Sequence, residues 1–370
     1  MGIAMRTKNR GSDAARNGGG LVAAAVLTLL AWMAVPAAVV AQTPDRVKLL
    51  NRTEVTGEIA AVSPNDVEVR DQREEMKRVP VDQIREVLLG AEPISLRSAR
   101  GMLLRQDPAG ALEELKKIEQ SELEGAPNLV LAELDFVKAA ALGRKATGAE
   151  VATAEAALRG FLAKNAKSYN FFRAQEILGD MLAKAGKYAD AATAYATLEK
   201  GPPAYRVRAA SAKANLAYAQ KQYAEALKEF ENAGKIQTDP KDESSARQKR
   251  EAELGRARCL SRTSKAPDAV AAVLGAIKAA DPEDKEMLGK AYNVLADAYK
   301  EQGKDQDALI NFLMVDLVYN ALPDSHAEAL FNLAQLWEKA KNPERARQAK
   351  QVLQSTYPES QWTKMLGAGG

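Results

Sequence analysis

One histidine, His326, and one cysteine, Cys259, bound the chemistry open to this chain. A histidine-based metal cluster or a histidine-assisted nucleophile needs partners that the sequence does not supply. A lone cysteine builds no internal disulfide framework, and a free cysteine is most often a small buried apolar residue. Neighbouring carboxylates such as Glu113 and Glu114, or Glu122 and Glu124, have the right type for acid–base work. They fall on helical or loop surfaces, where solvated charge is the ordinary state. Phosphate-cradling glycine loops, dinucleotide fingerprints, zinc-protease helices, calcium loops, paired cysteines and nucleophile elbows are all missing. The sequence therefore reads as non-enzymatic, with no cofactor and no metal. A different pattern stands at Lys290, Asn293, Asp297 and Lys300. Steps of three and four residues put these on one helical face, opposite Leu295, Ala296 and Tyr299. A polar face of that kind suits contact with another chain.

The element that carries this face runs from Ala291 to Val315. Leu295, Ala296 and Tyr299 mark one amphipathic helix, and Ala308, Phe312 and Val315 mark a second. Gly303 lies between them, where a helix C-terminus needs positive φ. Tyr292, Leu295, Ala296, Tyr299, Gly303, Ala308 and Phe312 stand at the marker positions of the tetratricopeptide repeat, which this stretch resembles. Val315 and Asn320 depart from that pattern, and Pro323 follows. One hairpin cannot bury its own faces, so neighbours are required.

Those neighbours are visible as a small residue followed four positions on by a larger apolar one. It recurs as Ala157/Phe161, Ala191/Tyr195, Ala226/Phe230, Ala308/Phe312 and Ala346, the last followed by Lys350, with Ala111/Leu115 and Ala269/Val273 as weaker members. Two of the spacings, 34 and 35 residues, lie at the family's period, and the others carry a few extra residues. Hairpins at 93–119 and 127–165 are recognisable only as paired amphipathic helices. The resemblance is close from Arg173 to Pro358 and loose from Glu92 to Tyr169. Pro203, Pro282, Pro323 and Pro358 are expected to stop helices at repeat ends. Residues 237–248 read as a loop that passes into an exposed helix turn.

The resemblance implies a mainly α fold: a solenoid of about seven helical hairpins stacked in a right-handed superhelix. It also implies that the first helix of each hairpin lines a concave groove. Carried onto this chain, the groove positions are Glu176 and Asp180; Lys290, Asn293, Asp297 and Lys300; and Phe331, Gln335 and Glu338. Phe331 is expected to be exposed there as an aromatic anchor. Members that grip a terminal carboxylate do so with lysine and asparagine. Here Glu176 and Asp180, or Asn293 and Asp297, stand in the first two of those places, so that clamp is absent. The partners implied are protein or peptide segments.

Before the helices, residues 43–91 alternate apolar and polar at period two. Five short strands are predicted, at 46–50, 54–62, 66–70, 76–80 and 84–88, with a one-turn corner near Val81. About 45 residues of curled strand suggest a small SH3-like, barrel-like domain. Leu50–Ile59 resembles the first hairpin of Sm-like proteins, without an RNA-contact motif. Such a piece is near the lower size limit for a stable core and is expected to dock on the first helices. An alternative function, as accessory subunit of an envelope enzyme or polysaccharide-associated complex, would work through this piece, yet it holds no Trp, Tyr or Phe.

Residues 1–20 are polar and basic, and Leu21–Ala41 carries no charge. This is the layout of a secretory signal peptide, with small residues at Val39 and Ala41 before Gln42. The rival reading is a retained membrane anchor, since the run is long enough to span a bilayer. No cysteine follows it, which excludes a lipoprotein anchor. Either way the rest of the chain is expected in the periplasm or cell envelope. Of 52 Lys and Arg and 49 Asp and Glu, four basic and one acidic fall in residues 1–41, which leaves 48 of each beyond. The basic balance is thus a property of the leader and gives no reason to expect a nucleic-acid partner. The domain plan is 1–41 leader, 43–91 β domain, 92–362 helical repeats and 363–370 disordered tail. The ending from Phe331 through Trp337 to Pro358 resembles repeat proteins of bacterial envelope assembly. N-terminal sequencing of the protein from its native host should begin near Gln42; a chain that starts at its first residue and resists carbonate extraction would make Leu21–Ala41 an anchor instead.

Overall fold

Residues 43–368, apart from Pro240 and Ser264, are described by a computed structural model. The leader, its expected cleavage site and the final two glycines lie outside the described residues. Five antiparallel strands come first: β1 (Asp45–Leu49), β2 (Glu54–Val62), β3 (Asp66–Arg70), β4 (Met76–Pro80) and β5 (Ile84–Leu88). Their order is β4-β3-β2-β1-β5. The expected strands are all present, the first one residue earlier than expected, and a 3-10 turn at Val81–Gln83 forms the corner. Strand β2 serves two ladders: Glu54–Gly57 pair with β1, and Glu58–Val62 pair with β3 across a bulge at Ala60. Alternation puts Val47, Val67, Val69, Val79 and Val87 on the inner face, where they are buried.

Seven helical hairpins follow. They are α1 (Ile94–Leu104) with α2 (Pro108–Leu115), α4 (Asn128–Lys145) with α5 (Glu150–Lys164), and α6 (Phe171–Lys184) with α7 (Tyr188–Leu198). Then come α8 (Pro203–Ala219) with α9 (Tyr223–Lys235), α10 (Glu243–Arg262) with α11 (Ala266–Ala279), α12 (Lys285–Glu301) with α13 (Asp305–Leu317), and α14 (Pro323–Lys339) with α15 (Pro343–Thr356). A single turn of helix, α3 (Gln120–Leu123), lies in the first long connection. Each second helix packs on the first helix of the next hairpin, so the core runs on from repeat to repeat. Among the described residues no helix is long and apolar enough to cross a membrane.

The small-residue marker works by close approach. Ala111, Ala191, Ala226, Ala269 and Ala308 are fully buried. Ala157 is only half-buried, and Ala154 takes the inner place in that hairpin. The aromatic four residues after the alanine needs a gap opposite. A Cβ on Gly179 would fall 2.4 Å from the Tyr195 ring, and one on Gly255 would fall 2.2 Å from the Phe230 ring. Five hairpin turns share a left-handed residue: Gln106, Gly186, Lys221, Gly303 and Lys341, with φ between 57° and 76°. Only two of the five are glycine, so the turn is more regular than its sequence. Pro203 and Pro323 open α8 and α14 at positions where the missing N–H costs nothing.

Three expectations change. The tail expected to be disordered forms α16 (Gln361–Ala368), which packs on α14 and α15 through Trp362 and Leu366. Two apolar residues four apart supply a face that Phe331, Leu353 and Tyr357 cover. The β domain also docks more widely than on the first helices. Its 3-10 corner touches α8 and α10. There the buried Asp82 carboxylate accepts the Ala204 N–H at the start of α8, 3.3 Å away, a favourable place for a negative charge. Burial, and the Asp242 charge after it, nonetheless push the Asp82 pKa up. Ser244 and Ser245, in the turn expected to be exposed, are buried at the start of α10.

Two substitutions should act in opposite directions. Lys341→Gly should raise stability by about 0.5–1 kcal/mol, because glycine adopts the left-handed turn without strain. Gly255→Ala should lower it by about 1–3 kcal/mol through overpacking against Phe230. Chemical denaturation of the two variants beside wild type checks both signs.

Candidate binding groove

The first helices α8, α10, α12 and α14 stand side by side and line a cavity of about 450 Å³. Tyr218, Phe230, Leu254 and Val294 give it an apolar floor, and Arg258, Lys290 and Glu328 give it charge. Trp362 of α16 closes one side. The Ser211 hydroxyl and the Arg258 Nε are buried without a hydrogen-bond partner on this lining.

The residues singled out from sequence do share the first-helix faces, but most are already engaged. Glu176 accepts from Arg208 Nη1 of the next first helix at 2.9 Å. Lys290 Nζ donates to Glu251 of the preceding one at 2.9 Å. Asn293 is fully buried, and its amide donates to the Ser325 carbonyl at 2.8 Å. Asp297 is buried, with Arg262 at 4.0 Å. Lys300 Nζ donates to Asn332 at 2.7 Å and to Gln335 at 3.4 Å. Glu338 pairs with Lys350 on α15. Asp180 accepts the Tyr195 hydroxyl at 2.6 Å. Desolvation and the Glu176 charge raise its pKa to about 6, against the pull of the Tyr195 hydrogen bond and of the Lys184 and Arg144 charges.

Phe331 is the clear correction. It is 7% exposed and packs against Trp362 with the rings tilted and 5.3 Å apart, so it belongs to the core that holds α16 and offers no free anchor. The Asn293 and Asp297 side chains likewise face the neighbouring first helices and are not open to a ligand.

The sequence reading missed Tyr218, Arg258, Glu328 and Trp362. A signal for the charged ones exists, in that signs alternate from one first helix to the next. Glu176 on α6 meets Arg208 on α8; Arg208 lies near Glu251 on α10; Glu251 meets Lys290 on α12. In a second row, Arg258 on α10 donates to both Glu328 oxygens on α14, at 2.8 and 3.1 Å. Burial pushes the Glu328 carboxyl up, against the pull of Arg258. Burial also pushes Glu251 up, but Lys290, Arg247 and Arg208 outweigh it and hold its pKa below the usual range. Cys259 is fully buried one residue away from this row, and burial pushes its thiol up to about 12. That keeps it inert.

A family model for the tetratricopeptide repeat matches residues 146–205 and 185–243. Residues 146–243 carry tetratricopeptide repeats, and the helical hairpins on either side keep the same plan. The fold agrees with solved structures of repeat proteins at low identity. One is a tetratricopeptide-repeat protein from Parabacteroides merdae, 18% identical with a TM-score of 0.50, covering 74% of this chain and 95% of that one. Another is the quorum sensor NprR from B. thuringiensis in its apo form, 16% identical with a TM-score of 0.50, covering 70% and 74%. No curated protein matches the sequence. Tetratricopeptide repeats are generally non-catalytic.

Glu251 gives a pH test of the charge ladder. Its folded pKa lies below its unfolded value near 4.5, so its contribution is present above that value and is lost as pH falls through the folded pKa. Glu251→Gln should therefore lower the melting temperature at pH 7, by an amount worth no more than about 1 kcal/mol for a part-exposed pair. The deficit should shrink steadily as pH drops below 4.5. A deficit that stays constant with pH would show that the lost shape, and not the charge, matters.

Proposed function

We propose that this protein is a non-enzymatic scaffold of the cell envelope or periplasm, which holds a partner protein segment in its concave groove. The observation that carries this reading is the 450 Å³ cavity, with aromatic and aliphatic floor and buried polar atoms left without partners. A hollow with an apolar floor, charged walls and a few unsatisfied polar groups suits a ligand that is itself both apolar and polar. Donors at Arg258 Nε and Ser211 Oγ fit the carbonyl oxygens of an extended or helical segment. The charge-free run Leu21–Ala41 behind a basic start supports export. The mixed signs of the wall favour a partner segment with both charges over a purely acidic or basic one.

A photo-crosslinking residue in place of Asn215, which is exposed on the cavity wall, should capture a discrete partner in native envelope fractions. The same residue in place of Lys228, exposed on second helix α9, should not. Capture from Lys228 alone, or recovery of the protein only from the cytoplasmic fraction, would overturn the reading.

A further inference from the structure

A second groove lies away from the concave wall, between the β domain and the start of α4. Strand β2 forms one side. Its ladder with β1 ends at Asp45 opposite Gly57, and the Asp45 carboxylate accepts the Ile59 N–H at 3.0 Å. From Ala60 to Val62, β2 is paired only with β3. Among the described residues, no strand pairs with its other edge there. Ala60 and Ala61 are exposed. Pro127, Leu129 and Ala132 form the facing side. Two hollows of about 500 and 610 Å³ meet at Ile59 and Leu129 and so run along this edge. An unpaired, apolar strand edge is normally blunted by charge or covered. Here it is bare for three residues and walled by a helix.

The two ends of the groove differ in charge. Beside Gly57, Glu58 and Glu74 share a single arginine, Arg70, at 3.7 and 3.8 Å. Beside Val62 stand Lys164, Lys167 and Asn165, whose amide Nδ2 is buried without a partner. The chain's own N-terminus does not fill the space if the mature protein begins near Gln42. Only one residue then precedes Thr43, whose hydroxyl is tied to the Gly90 carbonyl at 2.8 Å. We propose that this groove takes an extended segment of a partner protein as a strand added to β2. The segment would run antiparallel, in line with β1, with alternating small apolar side chains. An acidic residue near its start would meet Asn165 and Lys167, and a basic residue near its end would meet Glu58 and Glu74. Main-chain hydrogen bonds would supply affinity and the charged ends direction. This surface is separate from the concave cavity, and neither reading depends on the other.

The test is hydrogen exchange of the natively processed protein with blocked hexapeptides of this pattern, such as Glu-Val-Ala-Val-Thr-Lys, at millimolar concentration. Exchange over residues 58–62 should slow about twofold or more, since amides of an unpaired edge open freely. The same peptide N-methylated at alternate amides should give no protection. Ala60→Trp, at the exposed bulge, should fill the groove and abolish protection without lowering the melting temperature. Equal protection by the N-methylated peptide, or none from any peptide of the pattern, would overturn strand addition. Protection already present without peptide would overturn the partner as occupant: it points to a second copy if it fades on dilution, and to residues before Thr43 if it does not.

Discussion

The Arg100 guanidinium on α1 fixes the connection that leads from β5 into the helices. It donates to Glu133 on α4 at 2.7 Å and to both oxygens of Glu92, the second residue after the Gly90 turn. Glu133 in turn accepts from Tyr169 and from the Asn170 amide, at the threshold of α6. Arg97 adds a second positive charge at 3.0 Å from Glu92. Two arginines and two carboxylates thus balance inside a cluster drawn from four parts of the chain. Burial pushes the Tyr169 hydroxyl pKa well up, with Glu133 adding to it, so the tyrosine stays a donor. Removing one partner of such a buried pair costs about 3–5 kcal/mol, because the other charge is left uncompensated. This cluster holds α1, α4 and the approach to α6 in one geometry, and Arg173 on α6 donates to the Ile84 carbonyl at 2.6 Å, which ties β5 to them. Leu129, which walls the groove beside β2, sits one turn before Glu133 on the same helix.

The same economy appears along the concave wall. A stack of similar hairpins is stabilised mainly by nearest-neighbour contacts, and similar apolar faces do not by themselves choose a register. Alternating charge from Glu176 to Arg208, Glu251 and Lys290 gives each first helix one preferred neighbour. The polar faces that look like a ligand surface in sequence are therefore used first to order the repeats. What remains for a ligand is the hollow between them, at Tyr218 and Arg258.

This explains which features were legible in the sequence. Strands β1 to β5 were, because a sheet with one buried face writes period two directly into the chain. The hairpins were, through alanines such as Ala226 and Ala308 that have no alternative at a tight crossing. The turns at Lys221 and Lys341 were not, because a left-handed residue there is strained but tolerated, and no glycine marks it. Phe331 was misjudged for a non-local reason: its cover is Trp362, on a helix lying in a glycine-bearing tail that looked too short to order. Asn293 and Lys290 sit on the expected face, but whether that face meets solvent or the next helix depends on partners about 32–39 residues away. Periodicity carries no record of those partners.

The two grooves share no lining residue, and the β domain's corner is what connects the helices of the cavity to the sheet. The β domain's corner holds α8 at Ala204 and α10 near Ser244, both at the first turn. The cavity begins seven residues further along each helix, at Ser211 and Glu251, and extends to Tyr218 and Arg258. At 1.5 Å per residue, the corner and the cavity lining are about 10–20 Å apart along the helix axes. An occupant at the far end of the cavity therefore does not reach the corner. The distance is short enough that a tilt of α8 or α10 would move both. Packed helices of this kind shift as rigid bodies, so a partner at the β domain influences the cavity only by moving whole first helices. The charge ladder resists that movement, because any tilt must break Arg208 from Glu176 or Lys290 from Glu251. The arrangement therefore favours independent occupation of the two sites, with the repeats acting as a stiff frame between them.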